Sequence, residues 1–383
     1  MIPLSVPNLR GNELKYVTRC IKSEWVSTAG HYISVFEKKV AKYLGSKYAV
    51  ACINGTSALQ VALRLVGVKT GDEVIVPTLT FIAPVNSIIY NNAKPIFMDC
   101  DNFFNLDVRK TIKFIQNETV FKKKYTFNKK TGNRISAILP VHLWGNAANL
   151  EKLVKICKKR NITIVEDAAE SFGTKYTSGK LKNKYTGTIG KVGCLSFNGN
   201  KIITAGGGGM IITSDKKLAK KAKYLVTQAK DNPLRYIHNE VGYNFGLTNI
   251  QAALGLAQLE NIKLFKKNKN LIHKFYKKEI SKINGLSISS TPDYADNNKW
   301  FNILNINIKI YKKEVLEVIK KLKGKNIEAR PIWYPNHLQK KFKNFQKYEI
   351  KNANKLLNTS LCLPSSTNIK TIDLKKVIKA LNA

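Results

Sequence analysis

The sequence predicts an α/β protein: a large doubly wound domain followed by a smaller α/β domain. Three observations carry this reading. Strand-like apolar runs alternate with helical patterns, one such run ends directly in carboxylates, and 383 residues with 44% hydrophobic content suffice for a substantial core. The runs are Glu73 to Pro77, Pro95 to Asp99, Ile135 to Val141, Ile162 to Asp167, Val192 to Phe197 and Met210 to Thr213. Their short length and bounding polar residues suit strands buried on both faces. Asn54-Gly55-Thr56-Ser57-Ala58-Leu59 opens a helical pattern that continues through Ala62, Leu63 and Val66. The lysine-rich stretch from Phe121 to Arg134 predicts a solvated surface insertion ending in a hairpin-like turn. From Leu247 to Phe265, apolar residues at helical spacing (Ile250, Ala253, Leu254, Ala257, Ile262) predict one long amphipathic helix leading out of the large domain. The expected division is therefore 1–256 for the large domain and 257–383 for the small one. Within the latter, Asn302 to Ile310 alternates as a strand does, and Lys312 to Lys323 and Thr371 to Leu381 have helical period.

The formal net charge of +40 invites a nucleic-acid or anionic-surface reading. The lysines are spread along the chain, however, and arginine, the residue suited to bidentate phosphate and base readout, is sparse. No nucleic-acid partner is expected; a general attraction for anionic small molecules is. Cys20, Cys52, Cys100, Cys157, Cys194 and Cys362 form no Cys-x-x-Cys pair and have no histidine at ligand spacing, so neither disulfides nor a metal site is expected. The first residues lack the basic and apolar regions of a signal peptide, and no apolar run reaches membrane-spanning length. A cytoplasmic protein with no membrane partner is expected.

Three segments carry chemistry. Ser196-Phe197-Asn198-Gly199-Asn200-Lys201, followed by Ile202-Ile203-Thr204-Ala205 and four glycines, places one lysine after a strand-like run among small, flexible residues. Such a layout suits an amine that forms a Schiff base, which needs an unhindered approach and a depressed pKa. Ile162 to Ser171 leads an apolar strand into Glu166 and Asp167, at the strand end where ligands of open α/β sheets gather. The helix opening at Gly55 would offer free backbone N–H groups to a phosphate. Singly, these features read equally as a tight loop, an N-cap and an ordinary capped helix. In this order they describe a pyridoxal phosphate site.

The blocks Gly55-Thr56-Ser57-Ala58-Leu59, Glu166-Asp167-Ala168-Ala169-Glu170, Ser196 to Lys201, Gly242-Tyr243-Asn244 and Asn249-Ile250-Gln251-Ala252-Ala253 resemble the DegT/DnrJ/StrS family of sugar-nucleotide aminotransferases over almost the whole chain. The lysine block is most similar to the branch of the legionaminic acid and bacillosamine pathways. The resemblance implies a fold-type I, aspartate aminotransferase-like transferase that uses pyridoxal 5'-phosphate. It implies Lys201 as the lysine that holds the cofactor and carries protons, and Asp167 as the partner of the pyridine nitrogen. Thr56, Ser57 and Ser196 would hold the phosphate, Phe81 would stack on the ring, and Asn198 would line the cofactor. Glu170 stands where relatives place glutamine or histidine near the phenolic oxygen. Asn244 would cross a dimer interface to the neighbouring subunit's phosphate, so the resemblance implies a homodimer with shared active sites. Two positions later, where many relatives carry a basic residue, this chain has Gly246. The stretch Arg330 to His337 resembles the family's sugar-nucleotide segment, with Arg330 and His337 as implied substrate contacts.

The function implied is transfer of an amino group from L-glutamate to C4 of a UDP-linked 4-keto-6-deoxy-N-acetylhexosamine for surface glycan biosynthesis. Amination at C3 or of a GDP- or dTDP-linked sugar is the nearest alternative. A sugar dehydratase on the same scaffold would carry histidine in place of Lys201. A non-catalytic cofactor-binding regulator has no use for the intact Lys201 and Asp167.

Overall fold

A computed structural model describes residues 1–382. Two amphipathic helices, α1 (Glu13–Lys22) and α2 (His31–Leu44), precede the first strand, and Gly45, at φ 66°, ends α2 in the left-handed conformation. Strand β1 (Tyr48–Cys52) leads into α3 (Gly55–Leu65), β2 (Glu73–Pro77) into α4 (Ile82–Tyr90), and β3 (Lys94–Met98) into α5 (Val108–Asn117). The stretch expected to be a solvated loop is mostly ordered backbone. Thr119–Lys122 (β4) pairs with Tyr125–Asn128 (β5) in a hairpin that turns at Lys123 and Lys124, both at positive φ. After it come β6 (Ile135–Ile138), α6 (Glu151–Arg160), β7 (Thr163–Asp167), a short β8 (Lys175–Tyr176), β9 (Val192–Ser196), β10 (Gly209–Thr213) and α7 (Lys216–Val226).

Seven of these strands and a late two-residue strand form one sheet in the order β1-β10-β9-β7-β6-β2-β3, with Lys347–Tyr348 added beyond β3. From β9 to β3 the neighbours run parallel, whereas β10 runs against both β1 and β9. Alternation along each strand assigns its side chains to two faces. Val76, Val165, Cys194 and Ile211 pack with α3, α4 and α7 on one face. Ala51, Leu195 and Ile212 pack with α2 on the other, where Ile75, Ile96 and Ile164 meet α5 and α6. Because Asp167 shares the parity of Val165, and Ser196 that of Cys194, both end on the face where α3 begins.

The long helix expected from Leu247 to Phe265 is two helices. Thr248 and Gln251 form a capping box that starts α8 (Asn249–Glu260), and α9 (Ile262–Ile280) follows a break at Asn261, whose φ/ψ of −98°/5° leaves the helical region. The remaining strands are β11 (Leu286–Ile288), β12 (Ala295–Asp296), β13 (Asn302–Ile306), β14 (Arg330–Pro331), β15 (the added Lys347–Tyr348) and β16 (Ser360–Leu363). They alternate with α10 (Ile308–Tyr311), α11 (Val315–Gly324), α12 (Asn352–Thr359) and α13 (Thr371–Asn382). The alternating run thus stops at Ile306, and Ile308 turns into α10. A second sheet, in the order β11-β13-β16-β14, packs on α9, α11 and α13 around Tyr276, Leu304, Val318 and Val377. Ile2 joins this second core, and the first residues then run past the large sheet's lysine loop, where Ser5 Oγ donates to the Asn200 carbonyl at 3.3 Å.

Candidate active site

The C-terminal ends of β1, β2, β7 and β9 open on one cavity of about 220 Å³. Asn54 caps α3 there: its side chain accepts the Ser57 N–H at 2.8 Å, and the first turn points its remaining donors outward. Lys201 sits in the connection from β9 to β10, closed by the Phe197 N–H bond to the Gly208 carbonyl and the Ala205 N–H bond to Phe197, both 2.8 Å. The glycines are sterically required: Gly208 has φ 137°, and a Cβ on Gly209 would stand 2.3 Å from the Asn54 carbonyl.

Of the residues singled out in the sequence, Thr56, Phe81, Asp167, Glu170, Ser196, Asn198 and Lys201 line this cavity. The other four do not. Ser57 is buried behind Thr56 in the capped turn. Asn244 is exposed and bridges to Thr227. Arg330, paired with Glu328 at 3.0 Å, lines a separate cavity of about 1000 Å³ that shares Trp333 with the first. His337 is buried with its Nδ1 2.6 Å from the Thr78 hydroxyl, and burial lowers its pKa. With Asn336, whose Nδ2 donates to the Thr80 carbonyl at 2.8 Å, His337 fastens this segment to the loop after β2. That fastening seats Trp333 against Phe81, ring centroids 5.1 Å apart.

The buried charges are unequal. Lys201 Nζ lies 4.0 Å from Glu170 Oε1 and 4.0 Å from the centroid of the Trp300 ring. Burial holds its amine below the usual lysine value, against the pull of Glu170 and Asp167. Burial also raises Glu170 to about 7, although Lys201 and the Trp144 N–H, 2.8 Å from Oε2, both favour its charge. Asp167 is raised by burial too, and its one protein hydrogen bond is from the Ala169 N–H at 2.9 Å. Glu166 points to the opposite face, where its oxygens meet His142 Nε2 and the N–H groups of Gly187, Ile189 and Gly190 at 2.6 to 2.9 Å. Since His142 Nδ1 accepts from the Ala148 N–H, its proton is on Nε2 and donated to Glu166.

Asn54, Thr80, Asn200, Trp300 and Trp333 also line the cavity and are not among the site residues that the sequence implies. Asn54 was within reach as the polar residue before a helical pattern. Nothing local marks the two tryptophans, which arrive from the second sheet's region. Thr80 Oγ1 and Asn200 Oδ1 are buried without a partner among the described residues, which is costly unless a bound group supplies one. These orphaned atoms, the capped helix start and a shielded amine beside an incompletely bonded carboxyl fit pyridoxal phosphate. Among the described residues, no group of three or more histidine, cysteine or acidic side chains is placed to hold a metal, and no helix is long and apolar enough to cross a membrane.

Sheet order and pocket are those of a fold-type I pyridoxal phosphate-dependent transferase. A crystal structure of a DegT DnrJ EryC1 StrS aminotransferase from Brucella abortus superposes with a TM-score of 0.86 at 25% identity, covering 97% of this chain and 94% of that one. The DegT/DnrJ/EryC1/StrS aminotransferase family model matches residues 7–382, and the chain belongs to this family. It is 37% identical to the GDP-perosamine synthase of Escherichia coli O157:H7, covering 100% of this chain and 98% of that protein. With the GDP-perosamine synthase of Caulobacter vibrioides (strain ATCC 19089 / CIP 103742 / CB 15) it shares 36% identity, covering 100% and 97%. The chain is a pyridoxal phosphate-dependent sugar aminotransferase.

Proposed function

We propose that this aminotransferase moves an amino group from L-glutamate to C4 of a nucleotide-linked 4-keto-6-deoxy sugar, with a UDP-linked N-acetylhexosamine as the acceptor. The convergence of Lys201, Asp167, Thr56 and Ser196 on one cavity carries the reading. Thr56 and Ser196, with the first turn of α3, hold the phosphate. Phe81, half-exposed in the cavity lining, would pack on the pyridine. Asp167 would partner the ring nitrogen, whose positive charge would offset the burial that raises its carboxyl. When bound, the cofactor supplies an electron sink for the carbon that loses its proton.

Lys201 anchors the cofactor and, with its amine pushed below the usual lysine value, takes and returns the proton at the amino-bearing carbon. Glu170 Oε1, 4.0 Å from Lys201 Nζ, lies beyond hydrogen-bond reach and acts on the amine through its charge. Trp333 and Phe81 wall the cavity where the sugar enters, and Arg330 meets the diphosphate in the adjoining cavity. His337 acts indirectly by fixing that wall. The exposed apolar side chains of Leu234, Tyr236 and Val241 precede Asn244 on one segment and suit a second copy of the chain. We propose a homodimer in which Asn244 serves the partner's phosphate.

The relatives named GDP-perosamine synthase favour a second reading, a GDP-linked keto sugar. One experiment separates the two: mass spectrometry of products from matched UDP- and GDP-keto sugars with glutamate. Borohydride reduction followed by peptide mapping tests the core assignment. The cofactor label is expected on Lys201, and a label on another lysine refutes the assignment.

A further inference from the structure

Lys269, in the middle of α9, is 2% exposed and has no carboxylate partner. A buried ammonium without an anion is rare, because desolvation disfavours the charge. Its Nζ donates instead to two backbone carbonyls, that of Trp300 at 2.7 Å and that of Ser365. Burial pushes the amine down to about 7. One turn on in α9, the His273 ring meets Asn302 Oδ1 at 2.8 Å, and one turn back Lys266 pairs with Asp296.

The residue clamped by Lys269 meets the lysine loop twice. The Trp300 indole N–H donates to the Asn200 carbonyl at 2.7 Å, fixing the backbone one residue before Lys201. The Trp300 ring lies 4.0 Å from Lys201 Nζ. It also stacks on Trp144 at 5.9 Å, and Glu170 holds the Trp144 N–H. The backbone of Trp300 is held at both ends by side chains, its N–H by Asn298 Oδ1 at 2.9 Å and its carbonyl by Lys269.

We propose that Lys269 is a positioning residue for amino transfer: by clamping the Trp300 carbonyl it fixes the indole that sets the place of Lys201. The proposal rests on the role of Lys201 given above. Glu170 and Asp167 are the acids facing Lys201, and neither is a partner of Lys269; the direct link from residue 269 to the amine is Trp300. Displacing the amine removes its reacting geometry without touching substrate contacts, and misplacements of this kind lower kcat on the order of tenfold to a hundredfold.

The test uses holoenzyme with Lys269→Met, Lys269→Arg and Trp300→Phe. The pH midpoint of the bound cofactor's visible absorption is measured with kcat, KM and thermal stability. Lys269→Met is expected to move the midpoint and lower kcat at least about tenfold with KM little changed. Lys269→Arg, whose guanidinium reaches both carbonyls, restores both. Trp300→Phe keeps a ring but loses the bond to Asn200, and it should reproduce the kcat loss. A Lys269→Met enzyme with wild-type midpoint and kcat, whatever its stability, overturns the proposal. If that variant does not fold, a Trp300→Phe enzyme with wild-type values does the same. Wild-type protein whose borohydride label is not on Lys201 overturns the Lys201 reading and this role with it, whereas a normal label with unmoved variants overturns this role alone.

Discussion

Replacing Glu170 by glutamine keeps the shape of a 5% exposed side chain while removing its ionisation. In the folded protein the carboxyl rises from its ordinary 4.5 to about 7, so the native state binds a proton more tightly than the unfolded chain does. A raised carboxyl contributes stability that is fully present below about pH 4.5 and is lost as pH climbs through about 7. The difference corresponds to roughly 3 kcal/mol. This is an upper bound for the variant, because Lys201 also loses its neighbour 4.0 Å away. Glutamine has no proton to lose, so the stability of Glu170→Gln relative to wild type should rise with pH by up to about 3 kcal/mol, most steeply between about pH 4.5 and pH 7. Urea midpoints of cofactor-free protein across that range measure it. A difference that stays constant, or shrinks as pH rises, refutes the argument that the buried carboxyl of Glu170 is proton-loaded at neutral pH.

Asp167→Asn should leave the circular dichroism spectrum unchanged and lower kcat on the order of a hundredfold to a thousandfold, since an amide cannot stabilise a protonated ring nitrogen; near-normal turnover rules the role out. Arg330→Ala should raise KM for the nucleotide sugar about tenfold or more and leave the half-reaction with glutamate untouched, measured by single-turnover absorbance with each substrate alone. Mixing inactive Lys201→Ala with an inactive Asn244→Ala protein should restore part of the activity, because one site of a heterodimer inherits both lesions and the other neither. Confirmed subunit exchange without recovery of activity counts against the shared site.

Most of the parallel sheet was legible because its strands are short, β-branched and bounded by polar turns. Glu73–Pro77 stands where the pattern places it, and the other five runs are trimmed or extended by a few residues at most. Strand β1, Tyr-Ala-Val-Ala-Cys, went unread: small residues give neither alternation nor bulk, and its place is fixed by pairing with β10. The break at Asn261 has no proline or glycine to announce it, so periodicity alone carried the helix too far. Within the site, residues at strand ends and at the helix start were legible because local geometry dictates what those positions do. Trp300 and Trp333 were not, since their role depends on contacts far along the chain. Arg330 and His337 show the reverse limit. A motif places a segment near a pocket without telling which of its side chains face inward, and here Trp333 lines the cavity while His337 turns toward Thr78.

The reversed direction of β10 has a consequence for the assembly of the site. Because β10 turns straight back along β9, Ser196 pairs with Gly209 only 13 residues later, and the lysine loop closes on contacts nearly as local as those of a hairpin. The Trp300 bond to Asn200 spans 100 residues, and closing a loop of that length costs roughly 2 kcal/mol more entropy than closing the shorter one. The Ser196–Gly209 pairing is therefore the cheaper of the two closures to form. The lowered basicity of Lys201 comes from burial, and Trp300 is part of what buries it, so the activated amine belongs to the assembled fold and not to the lysine loop alone.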